Sequence, residues 1–370
     1  MPPLPSTLPP DRTVYVAVLT PMTGELATFG ETVRNGISLA FDEWNQQAGP
    51  DGPFIQWVLE DTRCDPLQAR QAAIRAIEEL GVQFIVGGLC SESAIPIARV
   101  ANEQGALFVS ATATHPLVTV DDTGDTRRLA FRASYVYPYQ ARAAAHFALE
   151  ELDARRAAIL TNVDDAFARS LAEEFGAAFV AGGGQIVATS VYTSGRAAVA
   201  SSQADFEAVV AELISAAPQV LYVPDGYPVA NKVGSIVKSP EFDVTLIGSE
   251  IWDNGALDLE ALEGAYFTTH YSREIPDPLA GAWRERYLSA FAVEPDTLAA
   301  LGYDAASLLI SAISQADNPT AVSVAHSLEA VEFEGVTGRW RFDARHDPQK
   351  PVVVNQIRGG DVVFHNRVRP

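Results

Sequence analysis

Short apolar runs typical of buried β-strands alternate along the chain with longer segments whose apolar side chains recur at helical spacing. The run from Val14 to Pro21 predicts a first strand, and the segment from Glu31 to Gln47 predicts a helix with one apolar stripe. That stripe consists of Val33, Ile37, Phe41 and Trp44. The alternation continues with predicted strands at 54–59, from Phe84 and from Leu107, and with a helix at 66–80. This order predicts an α/β lobe with helices on both faces of a parallel sheet.

A second alternation of strand and helix patterns begins after the segment FRASYVYPYQ, which spans 131–140. Its predicted strands are carried by ILTN, IVATSVY, VLYV and VTLIG. Its predicted helices cover 165–179, 206–216 and 229–237. Two later helices are predicted near 283–291 and over 299–316, and the pair Gly359 and Gly360 predicts the turn of a terminal hairpin. The pattern as a whole predicts two doubly wound α/β lobes that look like related copies.

Candidate chemistry appears where two strands of the first lobe stop in small hydroxyl residues, in FIVGGLCSES and LFVSATATHP. Ser91 lies at the start of an amphipathic segment that has Pro96 in its first turns, so a hydroxyl and exposed backbone N–H groups coincide at a helix start. Such a helix start attracts an anion. We therefore expect Ser91 and Thr114 to hold a carboxylate; the alternative is that both are ordinary N-cap or turn hydroxyls.

The length of the chain and its net charge limit the number of domains and the kinds of partner that we expect. A chain of 370 residues exceeds what one hydrophobic core usually serves, which favours two domains. The formal charge of −21 opposes nucleic-acid backbones and anionic membrane surfaces, so we expect no nucleic-acid partner. No apolar run approaches the ~20 residues that cross a bilayer, so we expect a soluble protein with no direct membrane insertion. We also expect a monomer.

The sequence gives little support for an enzyme, a metal site or a cofactor. It lacks the G-x-S-x-G, H-E-x-x-H and phosphate-loop motifs, and the glycine run 182–184 precedes a strand, so we read it as a turn. The six histidines lie far apart, so we expect no metal and no cofactor. Cys90, Ser91 and His115 could suggest a nucleophile with a base, but nothing in the sequence orients His115, which is most simply an exposed loop histidine.

Several spaced motifs together make the chain similar to a known family. It resembles the bacterial periplasmic leucine/isoleucine/valine-binding proteins, the type I solute-binding proteins of ABC importers, over nearly its whole length, from about Val14 to Val363. The motifs are CDPLQA, GGLCS with a cysteine 26 residues after the first, SATATHP, LTPMTGELATFG, LIGSEIWDN, AALGYDAASLL and FEGVTGRWRFDARHDP.

The resemblance implies a two-lobed fold with three hinge segments and a ligand in the interlobe cleft. It places the first lobe at 12–133 and 266–345 and the second at 134–265 and 346–370, after a Pro-rich flexible tether at 1–11. It also implies a disulfide between Cys64 and Cys90, which belongs in an oxidising compartment. Two buried free thiols remain the alternative. The start of the chain has no secretion-signal pattern, so either the signal was removed or the protein is cytoplasmic. The cysteine pair and the resemblance favour the first, a periplasmic or extracytoplasmic protein.

The resemblance also implies a set of ligand-binding residues. Ser91 and Thr114 bind the carboxylate, the carbonyl of Thr112 accepts from the ammonium, and Glu250 contacts the ammonium. Aromatic residues in cleft loops, each of which could instead be a core residue, are Phe29, Phe167, Tyr227 and Trp252. The set also includes Leu89, Cys90 and Asp225, with Leu298 near another wall position. The loop PDGYP departs from the family by about one residue, which leaves open whether Asp225, Gly226 or Tyr227 faces the ligand.

These observations predict an extracytoplasmic protein that captures an α-amino acid, branched-chain or otherwise apolar, and delivers it to inner-membrane ABC permease subunits. The alternative is a protein with the same binding pocket and a different role. It would be a ligand-sensing domain of a receptor or regulator that binds an amide, a γ-amino acid or an aromatic carboxylate. The sequence does not define the ligand side chain, because a pocket wall depends on rotamers and a few methylene groups.

Overall fold

The computed structural model describes residues 13–48, 53–193, 203–238, 242–253, 255–316 and 318–370. The predicted tether at 1–11 lies outside these residues. The strands are β1 Thr13–Thr20, β2 Phe54–Asp61, β3 Phe84–Gly87, β4 Leu107–Ser110, β5 Ala130–Arg132, β6 Arg156–Asn162, β7 Gln185–Tyr192, β8 Val220–Val223, β9 Thr245–Gly248, β10 Tyr266–Thr269, β11 Glu332–Gly335, β12 Gly338–Arg341, β13 Val352–Arg358 and β14 Asp361–Val368.

The helices alternate with these strands. They are α1 Ala27–Gln47, α2 Pro66–Ile74, α3 Ser91–Gln104, α4 Tyr137–Glu150, α5 Ala166–Ala181, α6 Gln203–Ser215, α7 Tyr227–Val237, α8 Pro278–Phe291, α9 Thr297–Ser314 and α10 Ala321–Glu329. The helix predicted at 66–80 is divided, because α2 continues as a π-helical turn over Arg75–Glu79. The terminal hairpin turns at Gly359 and Gly360, as predicted.

The chain divides into two compact units. The first comprises Met1–Val136 and Pro276–Lys350, and the second comprises Tyr137–Ile275 and Pro351–Pro370. The predicted placement of 266–275 in the first lobe is wrong, because β10 pairs with β9 and β13 in the sheet of the second unit. The division also falls after Lys350, five residues beyond the predicted 345.

The first unit is built on a five-stranded parallel sheet in the order β2-β1-β3-β4-β5. Alternate residues of β1 enter different cores: Val16 and Val18 pack with the helices α1 and α9, while Ala17 and Leu19 pack on the side of α2 and α3. A strand that buries both faces needs an uninterrupted apolar run, which explains the sequence of β1. The β11-β12 hairpin completes this unit.

The second unit contains a seven-stranded sheet in the order β14-β13-β10-β9-β8-β6-β7. Strands β6 to β10 pair in parallel, and the terminal hairpin adds β13 and β14 antiparallel to β10. Ala157 and Ile159 face one core and Ala158 and Leu160 the other, so this sheet is also buried on both faces. The α/β architecture predicted from the alternation of patterns is therefore confirmed.

The helix α9 is the one helix of the described residues with the length and apolar composition of a membrane span. Within the protein, 72% of that window is buried. It packs along α1 in the core of the first unit, which accounts for its hydrophobicity.

Candidate functional site

In the first unit, the segments that follow β3 and β4 start side by side. Gly87 of β3 lies opposite Ser110 of β4 in the sheet register. Cys90 then forms the N-cap of α3 with extended backbone angles, and Ser91 is the first residue of the helix. The serine hydroxyl therefore lies at the amino-terminal end of a helix, where backbone N–H groups favour negative charge.

Hydrogen bonds join these two segments. The Thr112 hydroxyl donates to the carbonyl oxygens of Gly88, at 3.2 Å, and Leu89, at 3.0 Å. The backbone N–H of His115 donates to the Ser91 hydroxyl oxygen at 3.3 Å. The structure thus holds the Ser91 hydroxyl against the loop that carries Thr114, a residue that is 7% exposed.

The guanidinium of Arg132, at the end of β5, supports the same loop from within the protein. It donates to the carbonyl oxygens of Ala113 and His115, both at 2.9 Å, and forms a 2.7 Å ion pair with Asp347. Arg132 was not among the residues predicted from the sequence, although an arginine directly after the apolar run LAF is a recognisable signal. Burial raises the pKa of Asp347 even though Arg132 opposes that shift.

His115 differs from the prediction of an exposed loop histidine. The residue is half-buried, and its Nδ1 accepts from the Leu117 backbone N–H at 3.1 Å. Burial, with a smaller contribution from the Arg132 charge, lowers the pKa of His115. Its imidazole therefore serves as a local cap, and no base-to-nucleophile contact with Cys90 exists because Cys90 is bonded to Cys64.

The disulfide joins the segment after β2 to the start of α3. The Cα atoms of Cys64 and Cys90 are 5.7 Å apart, and the bond closes a separation of 26 residues. The disulfide implied by the resemblance is thus present, and it fixes the residue immediately before Ser91.

Apolar residues that were predicted to contact the ligand also belong to the first unit. Phe29 lies in the first turn of α1, after β1, and is 37% exposed. Strand β1 is the neighbour of β3, and the Gly88 N–H donates to the Leu19 carbonyl at 2.7 Å. Leu89 and Leu298 are partly buried against the core of this unit.

In the second unit, Glu250 follows β9 and pairs with a histidine that the sequence analysis missed. Glu250 Oε2 lies 3.0 Å from Nε2 of His270, which follows the neighbouring strand β10. The side chain of Glu250 is 15% exposed and that of His270 is 1% exposed. The segment TTHYS contained the signal, a histidine at a strand end, but its strand was assigned to the other lobe.

Asp225, one of three residues of the PDGYP loop predicted to face the ligand, is a buried and hydrogen-bonded carboxylate of the second unit. It is 6% exposed, and it accepts hydrogen bonds from the Asn162 backbone N–H, at 3.2 Å, and from the Tyr192 hydroxyl. Burial raises the pKa of Asp225. Tyr227, in contrast, opens α7 and is 36% exposed, so it is the aromatic side chain of the PDGYP loop that remains accessible.

Trp252 is a core residue, the second of the two alternatives that its sequence position left open. Its side chain is completely buried, and its indole N–H donates to the Asp225 carbonyl at 2.8 Å. A Cβ at Gly248 would lie 2.1 Å from the indole ring, so the ring packs directly on the backbone of β9. Phe167, in the first turn of α5, is partly buried edge-on to Tyr137, with ring centroids 6.0 Å apart.

Clusters of metal-binding side chains were sought among the residues that the structure describes. The described residues contain no group of three or more His, Cys, Asp or Glu side chains able to hold a metal ion. The candidate groups are instead hydroxyls and a helix start in one unit, and a carboxylate paired with an imidazole in the other.

Comparisons with known proteins agree with this description. A family model described as periplasmic binding protein matches residues 13–361. The leucine-binding protein LivK of Thermotoga maritima has a TM-score of 0.79 and 31% identity, over 96% of this chain and 99% of that protein. A leucine-, isoleucine-, valine-, threonine- and alanine-binding protein of Pseudomonas aeruginosa is 26% identical over 339 residues, which cover 90% of this chain and 87% of that protein.

A further relative is the Leu/Ile/Val-binding protein BraC3 of Rhizobium johnstonii. It is 29% identical over 276 residues, which cover 73% of this chain and 71% of that protein. The predicted type I periplasmic binding fold is confirmed by these likenesses. The chain therefore belongs to the periplasmic binding protein family, whose members are solute-binding proteins.

Proposed function

We propose that this protein captures an α-amino acid with an apolar side chain outside the cytoplasm and delivers it to the permease of an ABC importer. The names of its relatives support the ligand class, because they are binding proteins for leucine, isoleucine and valine. The disulfide supports a location in an oxidising compartment.

The observation that carries the proposal is the presence of two chemically complementary groups, one in each unit. The Ser91 hydroxyl lies at a helix start and against the Thr114 loop, a setting that suits a carboxylate. Glu250 offers a largely buried carboxylate, a setting that suits an ammonium because a desolvated charge needs an opposite charge. We propose that the ligand is a zwitterion whose carboxylate is bound by Ser91 and Thr114 and whose ammonium donates to Glu250 and to the Thr112 carbonyl.

Apolar residues would contact the ligand side chain. Phe29, Phe167 and Tyr227 retain exposed or partly exposed rings, whereas Trp252 and Asp225 are buried in the second unit and drop out of the proposed set. Leu89 and Cys90 would contribute through the backbone segment that leads to Ser91. An apolar wall favours an aliphatic ligand, since each buried CH₂ contributes about 0.8 kcal/mol.

Two substitutions test the division of roles. Ser91→Ala should weaken every carboxylate ligand by about 1.5–3 kcal/mol, the usual contribution of a hydrogen bond to a charged group. Glu250→Gln should weaken only ligands that carry an amine, by about 2–5 kcal/mol. Isothermal titration calorimetry with L-leucine and with 4-methylpentanoate, its deaminated analogue, measures both effects.

Matched controls are available in each unit. Ser314→Ala removes an exposed hydroxyl at the end of α9, and Glu260→Gln neutralises an exposed carboxylate paired with Lys238. Neither should change affinity. Equal binding of L-leucine and 4-methylpentanoate by the unmodified protein would refute the role of Glu250. A ligand recovered chemically altered after incubation, by mass spectrometry, would refute the proposal that the protein only binds and releases it.

A further inference from the structure

The pairing of Glu250 with His270 adds a residue to the proposed binding mechanism. The two residues leave neighbouring strands of one sheet: Gly248 of β9 lies opposite Phe267 of β10, so Glu250 and His270 follow at the same edge. Glu250 Oε2 is 3.0 Å from His270 Nε2, within hydrogen-bond distance. The imidazole is 1% exposed, so its position is set by the packing of the second unit.

We propose that His270 is a positioning residue that holds the Glu250 carboxylate for the ligand amine and thereby determines the preference for amino acids over their deaminated analogues. This inference rests on the function proposed above. A glutamate side chain has several rotatable bonds, and fixing it on binding costs conformational entropy. A buried imidazole that already holds one oxygen reduces that loss, so more of the carboxylate–ammonium attraction appears as affinity.

The neutral imidazole is the form that fits this role. With its proton on Nε2, it donates to Glu250 Oε2 and leaves the carboxylate with its full negative charge. A buried negative charge that is hydrogen-bonded but not neutralised still gains from a cation. The ligand ammonium supplies that cation, and a deaminated ligand does not.

A neighbouring tyrosine provides a contrast. Tyr222 of β8 is completely buried, and its hydroxyl has no hydrogen-bond partner among the residues that the structure describes. Tyr222 lies opposite Ile247 of β9 in the sheet register, three residues before Glu250. Burial, with a smaller effect of the Glu250 charge, raises the pKa of Tyr222. Tyr222 therefore shares the surroundings of Glu250 without holding it, which makes Tyr222→Phe a matched control.

The test compares the ratio of the affinities for L-leucine and 4-methylpentanoate in four single variants and one double variant. His270→Leu removes the donor and should reduce the ratio by about tenfold or more, which corresponds to about 1.4 kcal/mol. His270→Gln places an amide N–H near the position of Nε2 and should keep the ratio within about threefold of the unmodified protein. Tyr222→Phe should behave like the unmodified protein. In the Glu250→Gln background, His270→Leu should change the ratio no further, because its effect acts through Glu250.

The outcomes separate the two proposals. If the unmodified protein prefers L-leucine and His270→Leu keeps that preference, the positioning role is wrong while the proposed function stands. If Tyr222→Phe lowers the ratio as much as His270→Leu, a general loss of polarity explains the effect and the positioning role is also wrong. If the unmodified protein shows no preference, the proposed function fails and the role of His270 fails with it. Retained affinity for 4-methylpentanoate in His270→Leu shows that this variant is folded. If His270→Leu loses affinity for both ligands, the test depends on His270→Gln. A reduced affinity ratio in His270→Gln then refutes the positioning role of His270.

Discussion

Asp225 and Glu250 show how two carboxylates at the same edge of one sheet acquire different roles. Asp225 receives the Tyr192 hydroxyl and the Asn162 backbone N–H, and it is 6% exposed. Glu250 is paired with an imidazole, and its side chain is 15% exposed. The first arrangement connects β6, β7 and the loop after β8, whereas the second is the carboxylate that we propose for the ligand ammonium.

The buried carboxyl of Asp225 should give a pH-dependent stability term. Burial raises the pKa of Asp225 in the folded protein, so the folded state binds the carboxyl proton more tightly than the unfolded chain does. Aspartates of the unfolded chain have a pKa of about 3.9. Stability is therefore lost as the pH rises from that value through the raised folded pKa. Asp225→Asn removes this titration, so its free energy of unfolding should improve relative to the unmodified protein over that range.

Urea unfolding at a series of pH values from about 4 to 8 measures the difference. Asp361→Asn, at an exposed position in the terminal hairpin, controls for the loss of a carboxylate. A difference between Asp225→Asn and the unmodified protein that stays constant across the series would contradict the assignment.

At the scale of elements, the helices α1 and α9 approach each other through glycine. A Cβ at Gly36 of α1 would lie 2.1 Å from the Ala299 carbonyl oxygen, and one at Gly302 of α9 would lie 2.5 Å from the Val33 carbonyl oxygen. Contacts this short leave no room for a side chain. The apolar stripe predicted for α1 therefore packs on α9 as well as on the sheet.

Gly36→Ala should accordingly destabilise the protein by about 1–3 kcal/mol, as overpacking in a close-packed interior does. The matched control is Gly281→Ala in α8, where a Cβ would meet nothing within 4 Å. Alanine is the better helix former, so that variant should gain about 0.5–1 kcal/mol. Urea unfolding of both variants tests the pair, and equal effects of the two substitutions would show that helix propensity alone decides.

The sequence predicted the helices and strands better than it predicted which strands pair in a sheet. The stripe of α1 and the glycine turn of the terminal hairpin are local patterns, and the structure contains both elements. The segment TTHYS was assigned to the wrong lobe because a four-residue strand acquires its place through long-range pairing, here with β9 and β13. The wrong lobe for this segment also separated His270 from Glu250, so the pair could not be predicted.

The same distinction applies to the candidate site. Ser91 and the Thr112–Thr114 loop could be placed together because parallel neighbouring strands end at the same edge of a sheet. Trp252 could not be classified from sequence, because an aromatic residue after a strand can face a ligand or fold back on its own sheet. Its contact with Gly248 decides for the second possibility, and no local pattern encodes that contact.

At the scale of the whole molecule, the formal charge of −21 makes the protein repel itself. Many ion pairs of the described residues involve exposed side chains, such as Lys238 with Glu260, and contribute little individually. Long-range repulsion should then dominate the response to salt.

Raising NaCl from about 10 mM to about 300 mM shortens the screening length from about 30 Å to well under 10 Å, so the urea midpoint at pH 7.5 should rise. Near the sequence pI of about 4.6 the excess charge vanishes, and the same salt series should have little effect. If salt lowers the midpoint at pH 7.5, local ion pairs outweigh the net charge, and the acidic surface stabilises the fold through specific contacts.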